Sequence, residues 1–372
     1  LETTLVAPGG GNVPGLVGSF GDFGTDCAGN SSISIRGTAC GAFSWPEVGI
    51  IKLTPRVASG AYLGTADVVG DETGPVGRFI PSHFNLSAGA LTDRVELTDC
   101  TDNFTYIGEL FGADWTLAAR NAGDGTTENY EGAFARLGAG SLDIAADEDI
   151  TVDSSSIIWT GGFGTASAEI RADRGAPDGP FEDFRVGTAP VDSDGVQLAG
   201  YDIDLSSNGS DDHGLIGTTE LRFGRLVVDN AVGSELGPLV LPLRAEFFEN
   251  ETWKNNALDE CTAISLVDEV ELTSSNGDTG DGGATVSVGA GSTSIQEGDP
   301  ITLESGTAGF TFSAPGSPGW VELLLELDMD WHFLRDDFDD DDNYLENPSA
   351  RASFGLFEGN ENRILLQEIA PR

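Results

Sequence analysis

Glycine interrupts this chain at intervals too short for helices, and that feature narrows the fold more than any other. Of 372 residues, 51 are glycine, and each would weaken a helix interior by about 1 kcal/mol relative to alanine. Between the glycines and clusters of Asn, Asp and Ser lie short runs of β-branched and aromatic residues, the pattern of strands joined by turns. Runs at 48–57, 115–120, 132–137, 157–170, 221–228, 239–248 and 321–327 predict strands, while apolar spacing of helical period is nearly absent. The expected fold class is all-β, with two or three stacked β-sandwich units.

A hydrophobic fraction of 39% is enough to build cores. Against that stand 62 acidic and 18 basic residues, a net charge of −44, with Lys52 and Lys254 the two lysines. Phosphate backbones and anionic head groups attract basic patches, so nucleic acid is excluded as a partner. Acid spread along the whole length keeps a surface solvated in concentrated salt, which points to a marine or halophilic origin. No run approaches the roughly 18 apolar residues that cross a bilayer, so direct membrane insertion is not expected. The start, Leu1-Glu2-Thr3-Thr4, is neither an initiator methionine nor a signal peptide and reads as a processed product or fragment. It also lacks the long apolar N-terminal helix of type IV pilins.

Cys27, Cys40, Cys100 and Cys261 form an even set, for which three disulfide connectivities exist. Cys27 with Cys40 would close a short loop and leave Cys100 with Cys261 as a long-range staple. A zinc site is the weaker reading, because no Cys-x-x-Cys occurs and His83, His213 and His332 are scattered.

Residues 104–137 read as strand, strand, polar turn at 121–125, then a returning strand from Tyr130, similar to a hairpin of bacterial immunoglobulin-like surface modules. The polar stretch 96–103 and the Gly/Asp/Ser-rich run 273–283 are the candidate boundaries, and 175–179 and 206–214 read as surface loops. The expected units are an N-terminal β unit at 1–99, an immunoglobulin-like sandwich at 100–195 and a C-terminal sandwich with an acidic loop at 196–372. No fixed repeat argues for a solenoid or propeller.

The densest chemical feature runs from Arg335 to Asn347. Alternate acids Asp337, Asp339 and Asp341 can turn several carboxylate oxygens toward one calcium ion, although the glycine of a sharp calcium turn is missing and a solvated acidic loop is the bland alternative. Asp192 with Asp194, Asp202 with Asp204, Asp211 and Asp212, and Asp278 with Asp281 read as polar turns. Catalysis finds little support: there is no Gly-x-Ser-x-Gly elbow and no phosphate-holding glycine loop between strand and helix. His83, flanked by large apolar residues, reads as structural. Lys52, inside an apolar run, reads as an outward strand lysine rather than an amide cross-link donor. Trp45 and Trp253 are candidates for sugar stacking, whereas Trp115, Trp159 and Trp320 border core strands.

Several phrases recur in a specific order: Gly77-Arg78-Phe79-Ile80-Pro81-Ser82-His83-Phe84, Phe104-Thr105-Tyr106-Ile107-Gly108, Pro177-Asp178-Gly179-Pro180-Phe181, Phe223-Gly224-Arg225-Leu226, Asn230-Ala231-Val232-Gly233-Ser234-Glu235-Leu236, Pro242-Leu243-Arg244-Ala245-Glu246 and Asn347-Pro348-Ser349-Ala350-Arg351. Together, from about Trp45 to the end, they resemble the C-terminal domain of MshQ-like proteins linked to the mannose-sensitive haemagglutinin type IV pilus. In that family an Asp-Trp-Asp-Gly-Asp-Gly run precedes the Pro-Ser-Ala-Arg phrase. Here residues 337–342 keep the alternating acids and replace both glycines with aspartate. The resemblance also supports pairing Cys100 with Cys261.

It implies a non-enzymatic, extracellular or cell-surface protein, a pilus-associated stalk or tip. Its partners would be pilus or other surface-protein subunits, with glycans possible if it is instead a carbohydrate-binding module or glycan-active enzyme. A third reading is a self-assembling filament or homo-oligomer, with Arg363-Ile364-Leu365-Leu366-Gln367 as a donor strand.

Overall fold

The computed structural model describes residues 1–20, 40–57, 61–327, 331–338 and 343–355. The all-β expectation is met. Strands with period-two burial pack into sheets around two large hydrophobic cores, and the short helices among the described residues are single 3-10 turns.

The first core lies between two four-stranded sheets. One has the order Ile150–Thr160, Phe163–Ala172, Phe111–Arg120 and His83–Thr92, antiparallel throughout. The other runs Ile144–Ala146, Phe181–Thr188, Gly214–Arg222 and Thr105–Tyr106, with the last pair parallel. Alternate residues Phe111, Ala113, Trp115 and Leu117 meet Ala166, Ala168 and Ile170 within this core, as a strand's twofold side-chain period requires. A three-stranded sheet, Glu2–Ala7, Gly49–Thr54 and Val76–Phe79, joins the core through Val48. The Glu47 carboxylate pins that junction by accepting the N–H groups of Val48, Glu128 and Asn129 at 2.8, 3.0 and 3.0 Å.

The second core is enclosed by the strands Gly224–Val228, Leu239–Glu249, Thr252–Asn255 and Thr307–Phe312. Opposite them stands a five-stranded sheet ordered Ala231–Gly233, Ser349–Phe354, Gly319–Leu325, Val270–Ser274 and Thr279–Asp281. Phe104 and Tyr106 reach into this core from the first sandwich.

Several local expectations fail for identifiable reasons. The returning strand expected at 132–137 is a 3-10 turn, Gly132–Phe134, entered with Gly132 at φ +53°. The strand Phe111–Arg120 pairs instead with two distant strands. The run 157–170 holds two strands, reversed at Gly161 and Gly162, both at positive φ. The run 273–283, expected as a linker, forms the hairpin between Val270–Ser274 and Thr279–Asp281. Sheet pairing also crosses both expected unit boundaries, because His83–Thr92 pairs Phe111–Arg120 and Phe181–Thr188 pairs Gly214–Arg222. Polar loops there are connections inside a sandwich, and the two cores separate near Phe223.

Candidate functional site

The strands Gly214–Arg222 and Gly224–Val228 leave one residue, Phe223, between the two sandwiches, and it is fully buried. Gly224 lies so close to the Tyr106 ring that a Cβ there would sit 2.2 Å from it, so only glycine lets the chain pass. Two sets of side chains flank this crossing.

On one flank stands Arg94, at φ +46° in the loop after His83–Thr92 and with no solvent exposure. Its Nε donates to Glu109 Oε1 at 3.0 Å, and Nη1 donates to Asp102 Oδ2 at 2.7 Å and to Asp259 Oδ1 at 2.9 Å. Nη2 donates to Thr262 Oγ1 at 2.8 Å. The guanidinium carbon lies 5.4 and 5.2 Å from the ring centres of Phe104 and Tyr106. Tyr106 donates its hydroxyl to Asp259 Oδ2 at 2.8 Å and accepts from Asn256 Nδ2 at 2.6 Å. Arg94, Asp102, Tyr106 and Glu109 belong to the first sandwich, whereas Asn256, Asp259 and Thr262 belong to the second. The Cys100–Cys261 disulfide, spanning 161 residues, closes over the same contact.

One guanidinium therefore faces three carboxylates shielded from water. Burial pushes Glu109 up to about 7 despite the opposing pull of Arg94. Burial also raises Asp102, partly offset by the hydrogen bond from Arg94. Burial works against the charge on Arg94 itself, but Glu109 and Asp259 outweigh it and hold the guanidinium protonated.

On the opposite flank Arg174, just after Phe163–Ala172, donates from Nη2 to the carbonyls of Gly224 and Arg335 at 3.0 and 2.7 Å. Its guanidinium lies 3.5 Å from the Phe223 ring centre. Nε and Nη1 are buried with no hydrogen-bond partner among the described residues, and burial lowers this arginine to about 9. Arg225 donates to Asp336 Oδ2 at 2.6 Å and to Glu246 Oε2 at 2.8 Å, with its guanidinium 3.9 Å from the Trp253 ring centre. A cleft of about 850 Å³ opens beside Arg174, walled by Gly108, Arg171, His332, Asn343 and Tyr344.

The sequence-derived candidates fall as follows. Cys100 and Cys261 are bonded, and no described cysteine is free; Cys27, needed for the pairing with Cys40, lies outside the described residues. Of the calcium candidates, Asp337 is described while Asp339 and Asp341 lie outside. The neighbouring Asp336 bridges to Glu346, and Phe338 N–H donates to Glu346 Oε2 at 2.8 Å. Among the described residues only Cys100, Asp102 and Cys261 bring three potential ligand atoms within 4.8 Å, and two of these are the bonded sulfurs. That cluster therefore does not fit a metal. The segment 363–367 lies outside the described residues.

Trp45 is buried, its Nε1 donating to Pro14 O at 2.9 Å, and one face of Trp253 is covered by Arg225, so neither is an open sugar platform. Lys52 points outward to Glu72 at 2.8 Å. His83 lies 3.1 Å from Asp124, and His213 lies 2.7 Å from Asp212. Sequence reasoning missed Arg94, Glu109, Asp259 and Arg174. The available signal was the scarcity of cations, which marks each arginine of so acidic a chain as a candidate to gather carboxylates; Arg94 does so, whereas Arg174 bonds backbone carbonyls instead.

Residues 47–215 match the family described as DUF6701, third domain, and residues 222–369 match DUF6701, fourth domain. No curated protein matches the chain. Among solved structures, the adhesin InvE of Yersinia pseudotuberculosis is 11% identical over 73% of this chain and 60% of its own, with a TM-score of 0.23. The Escherichia coli adhesin FdeC is 14% identical over 86% of this chain and 81% of its own, with a TM-score of 0.30. The D0-D1 domain of intimin is 11% identical over 74% of this chain and 98% of its own, with a TM-score of 0.17. This chain thus spans about three fifths of the InvE chain. Overlaps this loose carry no argument about shape or function.

Proposed function

The chain belongs to the DUF6701 family, whose third and fourth domains occupy residues 47–215 and 222–369, and from that premise we propose that it is a stiff, non-catalytic segment of an extracellular adhesive protein. The observation that carries this reading is the Cys100–Cys261 bond laid across a one-residue, buried crossing. A structural disulfide suits an oxidising compartment. Closing a loop of this length stabilises by about 4 to 5 kcal/mol through the unfolded chain.

The bond also sets the path of force. Tension applied through the ends passes from Cys100 directly to Cys261, so the strands from Thr105–Tyr106 to Thr252–Asn255 stay out of the loaded route. A stalk wired in this way keeps most of its first sandwich unstrained while it is pulled. The finer reading is MshQ-like and pilus-associated, with pilus or other surface-protein subunits as partners. It rests on the ordered phrases from Gly77 to Arg351. Calcium held by Asp337, Asp339 and Asp341 belongs to the same proposal.

Pulling single molecules by their ends tests it. In oxidising buffer the extension on unfolding falls short of the reduced value by roughly 550 Å, the reach of a chain segment closed over a sequence separation of 161. Equal extensions in both buffers would remove the load-path reading.

A further inference from the structure

The chain holds two Asn-Gly pairs, Asn208-Gly209 and Asn276-Gly277. In such a pair the glycine nitrogen can attack the asparagine side-chain carbonyl, because no Cβ stands beside it. The two pairs match in backbone. Gly209 and Gly277 hold φ of +86° and +83°, nothing lies within 4 Å of a Cβ built at either, and both asparagines are exposed. They differ in what holds their side chains.

Asn276 is tied to a second turn: its Nδ2 donates to the Gly289 carbonyl at 2.8 Å, and its Oδ1 accepts the Gly289 N–H at 3.1 Å. The Gly277 N–H donates to the Ser274 carbonyl at 2.9 Å, a neutral acceptor that cannot take its proton. Attack there must first break these ties. Asn208, by contrast, finds its partners among the described residues inside its own loop. Its Oδ1 accepts the Ser210 N–H at 2.9 Å, its Nδ2 donates to Ser206 Oγ at 2.6 Å, and the Gly209 N–H donates to Asp204 Oδ2 at 2.7 Å. Ser206 Oγ in turn donates to Asp204 Oδ1 at 3.4 Å.

We propose that Asn208-Gly209 is a self-modification site, at which Asn208 is converted through a succinimide to aspartate and isoaspartate, while Asn276 keeps its amide. Each atom of the reaction has a partner in the loop. The Gly209 nitrogen forms a bond to Asn208 Cγ as Asp204, already within hydrogen-bond reach, takes its proton as general base. The Ser210 N–H stabilises the negative charge that develops on Oδ1. The Cγ–Nδ2 bond then breaks, and the Ser206 hydroxyl protonates the departing nitrogen as ammonia and regains its proton from Asp204. Water opens the ring at either carbonyl and leaves a carboxylate. One negative charge is thereby added to the loop that leads from Phe181–Thr188 into Gly214–Arg222.

Peptide mapping by mass spectrometry tests this on the full folded chain, incubated at mildly alkaline pH in water enriched in heavy oxygen. The expected result is heavy oxygen entering residue 208 at a rate about tenfold or more above that at residue 276. Residue 276 is a control within the same molecule, so the comparison does not depend on any variant folding. In urea the ties of Asn276 and the loop around Asn208 are both lost, and the two rates converge. Asp204→Asn lowers the rate at residue 208 severalfold and leaves residue 276 as it was. Equal rates in the folded chain, a difference that survives urea, or a rate at residue 208 that Asp204→Asn does not lower overturns the proposal.

Discussion

Arg94 and Arg174 stand on opposite flanks of the same crossing and solve burial differently. Arg94 places donors on three carboxylates and a threonine hydroxyl, and both sandwiches contribute partners. Arg174 donates to two backbone carbonyls, and its buried Nε and Nη1 have no partner among the described residues. Removing one member of a paired buried cluster strands the others, whereas removing a half-satisfied group also removes its own unmet demand. The joint therefore carries a disulfide and a shared cation on one flank and a half-satisfied arginine on the other.

The largest expected effect contrasts the two arginines directly. In urea unfolding, Arg94→Leu costs about 3 to 5 kcal/mol because Asp102, Glu109 and Asp259 lose their shared cation. Arg174→Leu changes stability by no more than about 1 kcal/mol, the lost carbonyl contacts being offset by the two relieved donors. Equal losses would erase the distinction between the flanks.

A finer probe is pH. Glu109 has a folded-state value raised from 4.5 to about 7, so its contribution is fully present below 4.5 and is lost as pH rises through 7. Relative to Glu109→Gln, the wild-type melting midpoint should fall between about pH 4.5 and 7 and level off above that range. A constant difference across this window would show that Glu109 holds no proton. The smallest effect concerns the acidic segment that follows Asp336. If Asp337, Asp339 and Asp341 hold calcium, a chelator lowers the midpoint by about 2 to 4 °C, and an unmoved midpoint dismisses the ion.

Much of the fold class was readable from local chemistry. Strands at 239–248 and 321–327 announce themselves by β-branched runs between turn residues, and the observed strands Leu239–Glu249 and Gly319–Leu325 agree within two residues. The Cys100 and Cys261 pairing was also readable, through the even cysteine count and the family phrases. Arg94 was not. Nothing in Thr92-Asp93-Arg94-Val95 distinguishes it from a surface arginine, and its decisive partners, Asp259 and Thr262, lie 165 and 168 residues away. Residues 96–103 looked like the end of a unit because they are polar, yet that polarity serves a buried contact between units.

The sequence alone determined that this chain makes short strands, has enough apolar residues to build cores and carries a large net negative charge. Each of these follows from side-chain period, turn geometry and net charge, which act locally or through simple sums. Only the tertiary structure decided which strands pair, where one sandwich ends, and which arginines become locks. Those outcomes depend on the chain closing over more than a hundred residues, where desolvation and hydrogen-bond matching between distant groups outweigh any preference of neighbours.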